Sequence, residues 1–164
     1  MIEKSKISVL IFDWGDTLMR DFDLPGPMWK WEKTAIIPGV RESLDILSRH
    51  YPLVVATSAT HSDIQDMRKA LKMVDIEKYF SNFFSAVELQ VRKPDTRFFL
   101  RVLELSGYEP HEAVMIGNNY EKDIAGAKKA GLQTVWFNEN RLQGSFPYAD
   151  AILYSMKDLP EILL

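Results

Sequence analysis

Val9-Leu10-Ile11-Phe12-Asp13-Trp14-Gly15-Asp16-Thr17-Leu18 is the stretch on which the fold turns. Its first four residues are all apolar and include β-branched members, and the run then breaks into acids, a glycine and a hydroxyl. A short apolar run of this kind reads as a buried strand, and the polar residues after it as the turn that leaves the sheet. The same pattern repeats outward. Leu53-Val54-Val55-Ala56 is a second buried strand, Ala113 to Ile116 a third and Thr134 to Phe137 a fourth, with Ala151 to Leu153 at an edge. Helical patterns lie between them. Pro38-Gly39 opens a helix whose Val40, Leu44 and Leu47 share one face. Ser62 with Gln65 reads as a capping box ahead of Ile64, Met67, Leu71 and Val74. Asp95 caps a helix that stops at Gly107, and residues 121–130 form a small-residue helix ending at Gly131. Asp158-Leu159-Pro160 starts a last short helix. This alternation predicts an α/β fold: a three-layer, Rossmann-like parallel sheet with helices on both faces.

Composition narrows the function classes. The 164 residues suit one domain spanning 1–164, and 46% apolar content is enough for a core of its own. Twenty basic against 23 acidic side chains give a net charge of −3, which argues against a nucleic-acid partner. The absence of cysteine excludes disulfides, thiolate metal sites and a cysteine nucleophile. No apolar run approaches the ~20 residues of a membrane span, and no signal-peptide core follows MIEKSK, so no membrane partner and a cytoplasmic location are expected. Gly-rich dinucleotide and P-loop fingerprints are absent. Residues 18–37 are irregular, with Pro25, Gly26 and Pro27 beside Met28, Trp29 and Trp31, and read as a flap.

In open α/β sheets, ligands bind beyond the carboxyl ends of the strands. There the sequence puts Asp13 and Asp16 after the first strand, Thr57 and Ser58 after the second, and Asn118, Asn119 and Asp123 after the third. Lys93 precedes the helix capped by Asp95. Acid, hydroxyl, lysine and an amide-plus-acid pair suit a dianionic phosphoryl group and a hard divalent cation.

These residues fall into an ordered set of motifs. Phe12-Asp13-Trp14-Gly15-Asp16-Thr17-Leu18 resembles the first motif of the haloacid dehalogenase-like hydrolase superfamily, usually Asp-x-Asp-Gly-Thr. Ala56-Thr57-Ser58 resembles the second, Arg92-Lys93-Pro94-Asp95 the third, and Ile116-Gly117-Asn118 through Asp123-Ile124 the fourth. The resemblance implies a magnesium-dependent phosphomonoester hydrolase in which Asp13 accepts the phosphoryl group as an aspartyl-phosphate. It implies that Thr57, Ser58 and Lys93 bind phosphate, and that Asp13, the Gly15 carbonyl, Asn118 and Asp123 hold the Mg2+.

Two positions depart from the family pattern. Gly15 stands where relatives carry the general acid/base Asp, and a positioned proton donor is worth about a hundred- to ten-thousandfold in rate. Asp16, one residue on, is the sequence's candidate replacement. Asn118 stands where a carboxylate is usual, which removes one negative charge from the metal site. These departures also support an alternative, a catalytically impaired phosphate- or phosphoprotein-binding module. Neither the gap from Asp13 to Thr57 nor that from Ser58 to Lys93 can hold a cap domain, so an open site and a phosphorylated, even large, substrate are expected. The halide-releasing and phosphonate-cleaving branches rely on a cap and fit poorly. A response-regulator receiver places its acceptor Asp on a middle strand of the chain, not on the first. Trp29 and Trp31 read as flap packing, His61 as exposed, and Arg92, Arg97 and Lys122 as a solvated face.

Overall fold

The computed structural model describes Met1–Leu164. β1 (Val9–Phe12) is buried along its whole length, and successive side chains enter different cores. Leu10 and Phe12 join Leu53 and Val55 of β2 (Leu53–Thr57) on one side. Val9 and Ile11 join Val54 and Ala56 on the other. Such a strand needs apolar residues at every position, which is why it has no polar alternation.

Four further strands complete the sheet: β3 (Asn82–Ser85), β4 (Ala113–Gly117), β5 (Gln133–Phe137) and β6 (Ala151–Leu153). The order is β3-β2-β1-β4-β5-β6, and every pairing is parallel. One face is covered by α1 (Val40–Leu47), α2 (Ile64–Met73) and α6 (Leu159–Leu163), which bury Leu44, Leu47, Met67, Leu71, Leu159 and Leu163 against it. The other carries α4 (Thr96–Ser106) and α5 (Gly126–Lys129), with Phe98, Phe99, Val102, Leu103 and Ala127 in the core. α5 packs closely because Gly126 has no side chain: a Cβ there would lie 2.8 Å from both Phe99 Cε2 and the Pro94 carbonyl. The expected three-layer α/β architecture is present.

Strand order reverses at β1. β2 and β3 lie to one side of it and β4 to β6 to the other, so a crevice opens where the crossovers diverge. Phe12 aligns with Val55 of β2 and Ile116 of β4, so the segments after all three strands emerge at one edge.

The structure corrects three local expectations. The helix after β2 is capped by Asp63 and Asp66, not Ser62 and Gln65: Asp63 Oδ1 accepts from the Asp66 N–H at 2.8 Å and Asp66 Oδ2 from the Asp63 N–H at 3.2 Å. Ser62 is buried instead, its hydroxyl 2.7 Å from His61 Nδ1. β3 has no counterpart among the expected strands. Its Asn82 is exposed and Phe83 half-buried, so the apolar run is too short to stand out, and pairing with β2 makes it a strand. The expected 121–130 helix begins as a wide π turn over Tyr120–Ala125 and only then becomes α5. α3 (Ala86–Leu89) follows β3 directly.

Residues 18–37 form a pinned flap. The Arg20 N–H donates to the Ala35 carbonyl (2.8 Å) and the Ile37 N–H to that of Leu18 (2.9 Å), closing its base. Trp29 Nε1 donates to Asp66 Oδ1 at 2.8 Å, and Trp31 is buried, so both tryptophans pack the flap down. Between β1 and β2 the chain adds only this flap and α1, and between β2 and β3 only α2 and a short turn. No helix is long and apolar enough to cross a membrane.

Candidate active site

A cavity of about 510 Å³ opens at the carboxyl edge of the sheet. At its floor Lys93 is almost wholly buried, and its Nζ donates to three oxygens: Asp13 Oδ1 at 2.9 Å, Asp123 Oδ1 at 2.7 Å and the Ala56 carbonyl at 3.1 Å. Its own main-chain N–H donates to Ser58 Oγ at 2.9 Å, which ties the loop before α4 to the end of β2. Asp13 is held from both sides. Its N–H donates to the Ile116 carbonyl (2.9 Å), and the Thr17 hydroxyl lies 3.0 Å from Asp13 Oδ2 and 3.2 Å from Asn118 Oδ1.

The β4 end is shaped to admit Asp123. A Cβ on Gly117 would fall 2.5 Å from Asp123 Cβ, Cγ and Oδ2, so only glycine leaves room. The π turn then swings Asp123 inward, and its Oδ2 accepts from the Asn119 N–H at 3.0 Å. Asn119 closes the turn by accepting from the Lys122 N–H at 2.9 Å.

Burial sets the electrostatics. For Asp123, burial and then the nearby Asp13 charge push the carboxyl up to about 6, against the pull of Lys93. For Lys93, burial alone would lower the pKa, but the charges of Asp123 and Asp13 and the hydrogen bonds to both outweigh it and hold it above its ordinary value. Two carboxylates thus share one ammonium. Asp16 is half-buried, and burial raises its carboxyl, with the Asp21 and Asp13 charges adding and the hydrogen bond from the Asp21 N–H opposing.

A family profile described as haloacid dehalogenase-like hydrolase matches residues 26–137, more than half of the chain. The chain belongs to the haloacid dehalogenase-like hydrolases. Among its relatives, pyrimidine 5'-nucleotidase PynA of Streptococcus pneumoniae is 32% identical over 133 residues, covering 77% of this chain and 54% of that protein. A glyceraldehyde 3-phosphate phosphatase of Pyrococcus furiosus is 27% identical over 162 residues, covering 90% and 66%. The chain therefore spans about half to two thirds of the length of these curated relatives. An uncharacterized protein from Listeria monocytogenes serotype 4b superposes with TM-score 0.84 at 25% identity, covering 96% of this chain and 97% of that one. A HAD phosphatase from Thermococcus onnurineus superposes at 0.80 with 22% identity over 96% and 98%, a likeness of fold.

All eight site residues singled out in this haloacid dehalogenase-like sequence line the one cavity. Thr57 and Ser58 lie at the end of β2, and Thr57 Oγ1 accepts from the Ala59 N–H at 3.1 Å. Asp16 takes a left-handed conformation (φ 58°), and its Oδ1 accepts from the Asp21 N–H at 3.0 Å. Further side chains enter the site without a sequence-based role, Thr17, Asp21 and Met28 among them. Thr17 bridges Asp13 and Asn118, as its place in the first motif could have suggested; Asp21 lines the cavity, and no sequence signal marks it. Met28 of the flap lines it too. Arg92 and Lys122 border the cavity, whereas Arg97 pairs with Asp95 at 2.6 Å away from it.

The oxygen donors present fit a magnesium ion in part. No group of three or more His, Asp or Glu side chains could hold a metal unaided. Asp13, the main chain of Gly15, and the Asn118 amide nevertheless border the same space, and Asp123 lies behind them with both oxygens in use. Hard oxygens with few carboxylates suit Mg2+, which keeps several waters and completes its shell with substrate phosphate.

Proposed function

We propose that this chain hydrolyses small phosphate monoesters with Mg2+, through an aspartyl-phosphate on Asp13. The observation that carries the reading is the buried Lys93 bridge between Asp13 and Asp123 at the sheet's carboxyl edge. Lys93 and Thr17 hold the Asp13 carboxylate rigidly, leaving it bordering the cavity for attack on phosphorus. Thr57 and Ser58 offer hydroxyl groups for the non-bridging oxygens, and Lys93, its three N–H groups engaged by Asp13, Asp123 and the Ala56 carbonyl, contributes its charge from behind them. Two carboxylates against one lysine leave the floor net negative, so a phosphate dianion needs more positive charge than the chain supplies there. Mg2+, held by Asp13, Gly15, Asn118 and, through its remaining lone pairs, Asp123, supplies that charge when bound. Arg92 and Lys122 add to it at the rim.

The small substrate class rests on the relatives. About 510 Å³ has room for the phosphate end of an ester, and the relatives are named for a nucleotide and a triose phosphate as substrates. Gly15 and Asn118 favour a second reading, a phosphate-binding module with its chemistry switched off. Phosphate release from an aryl phosphate, with and without Mg2+ and beside Asp13→Asn, separates the two. Mg2+-dependent turnover lost in the variant supports hydrolysis; phosphate binding without turnover supports the module.

A further inference from the structure

The space left by Gly15 is not empty of acid. Gly15 has no left-handed backbone, and a side chain there would meet only one neighbour: its Cβ would lie 3.5 Å from Asp21 Cβ and 3.6 Å from Asp21 Oδ2. These are ordinary contact distances. A carboxylate from the flap therefore flanks the position where relatives carry one on the first motif. Asp21 is exposed and borders the phosphate cavity. Its Oδ1 accepts from the Asp23 N–H at 2.9 Å, which orients the group and leaves Oδ2 toward Gly15. The adjacent cation does not neutralise it, because Arg20 is engaged with Glu139 at 2.7 Å.

We propose that Asp21 supplies the proton-transfer group that Gly15 lacks, with Asp16 as the brace that positions it. The proposal rests on the phosphatase reading above. In the first step an Asp13 oxygen bonds to phosphorus, the ester P–O bond breaks, and protonated Asp21 gives its proton to the departing alcohol oxygen. In the second, a water oxygen bonds to phosphorus, the Asp13–phosphorus bond breaks, and the Asp21 carboxylate takes the water's proton. Ester and water become alcohol and phosphate, and Asp21 ends protonated as it began. Asp16 accounts for its own odd geometry: in its left-handed turn the carboxylate accepts the Asp21 N–H and fixes the start of the flap.

Leaving-group dependence is the test, since a good leaving group hardly needs the proton. With Mg2+ present, kcat/KM is measured for 4-nitrophenyl phosphate and for glycerol phosphate. Asp21→Asn is expected to lose about a hundred- to ten-thousandfold on glycerol phosphate but less than about tenfold on the aryl ester. It should also show a burst of nitrophenol followed by slow turnover, because water attack has lost its base. Adding Gly15→Asp to Asp21→Asn should restore at least about tenfold on glycerol phosphate, since the new side chain meets residue 21 only at ordinary contact distance. Asp16→Asn keeps an amide oxygen for the Asp21 N–H, so whatever its overall rate, the ratio between the two esters should stay near that of the wild type. An unchanged ratio between the esters in Asp21→Asn, or the alkyl-specific loss appearing in Asp16→Asn instead, overturns the proposal. A wild type silent on both esters while Gly15→Asp turns over overturns Asp21 but leaves the phosphatase architecture standing. Both proteins silent overturns the two together.

Discussion

Replacing Lys93 by Met tests the floor of the cavity most directly. The ammonium is nearly inaccessible, 2.9 Å from Asp13 Oδ1 and 2.7 Å from Asp123 Oδ1, so its removal leaves two carboxylates facing each other in a desolvated site. Methionine keeps the volume and deletes the charge, so the loss is electrostatic and not a cavity term. Breaking a buried ion pair by removing one partner costs about 3–5 kcal/mol. For a chain of this size each kcal/mol lowers Tm by about 2–4 °C, so a fall of about 10 °C is expected at pH 7.5. The cost should depend on pH, because without the pull of Lys93 the Asp123 carboxyl is raised further by burial and the Asp13 charge, so it takes up a proton as pH falls and one of the two uncompensated charges disappears. Urea denaturation of wild type and variant at pH 7.5 and pH 5 measures both effects. The double variant Lys93→Met/Asp123→Asn should recover a large part of the loss, since one uncompensated carboxylate is then an amide. A cost under about 1 kcal/mol at pH 7.5, or no recovery in the double variant, would refute the bridge as the organising contact.

Three further outcomes follow from single contacts. Gly117→Ala drives a Cβ to 2.5 Å from the pinned Asp123 and should cost about 1–3 kcal/mol in urea denaturation while weakening phosphate release. Thr17→Val removes the hydroxyl that serves Asp13 Oδ2 and Asn118 Oδ1 and should cost about 1.5–3 kcal/mol, whereas Thr17→Ser should lose far less. For Asp123, the folded carboxyl titrates at about 6 against 3.8 in the open chain, so the native state binds the extra proton in that window. Its contribution to stability falls as pH rises from about 4 to 6 and is level above. Between pH 4 and pH 7, Asp123→Asn should gain on wild type by on the order of 3 kcal/mol in unfolding free energy.

Much of the site was legible because its chemistry sits at strand ends. Each buried strand is written as an apolar run, so the residue at which polarity resumes marks the carboxyl edge, and Asp13, Thr57 and Asn118 follow from that alone. β3 was not legible, since a strand lying at the sheet edge needs only Phe84 and Ser85 buried, and two residues make no pattern. The Asp63–Asp66 cap shows the same limit at smaller scale. Ser62 and Gln65 fit the spacing equally well, and burial of Ser62 beside β3 decides between them.

The sequence by itself determined the parallel α/β architecture, the edge that carries the chemistry and the identity of the groups gathered there. These are local properties, written in apolar runs, turn residues and ordered motifs. Tertiary structure decided what those groups do to one another. Lys93 is 80 residues from Asp13 and 30 from Asp123, and only the sheet order makes the three a buried triad with shifted proton affinities. Asp21 carries no motif at all; the fold of the flap, closed through the Arg20 and Ile37 main-chain N–H groups, brings its carboxylate beside the place a side chain on Gly15 would take. Electrostatics and proton transfer depend on distance through space, which the order of residues along the chain does not contain.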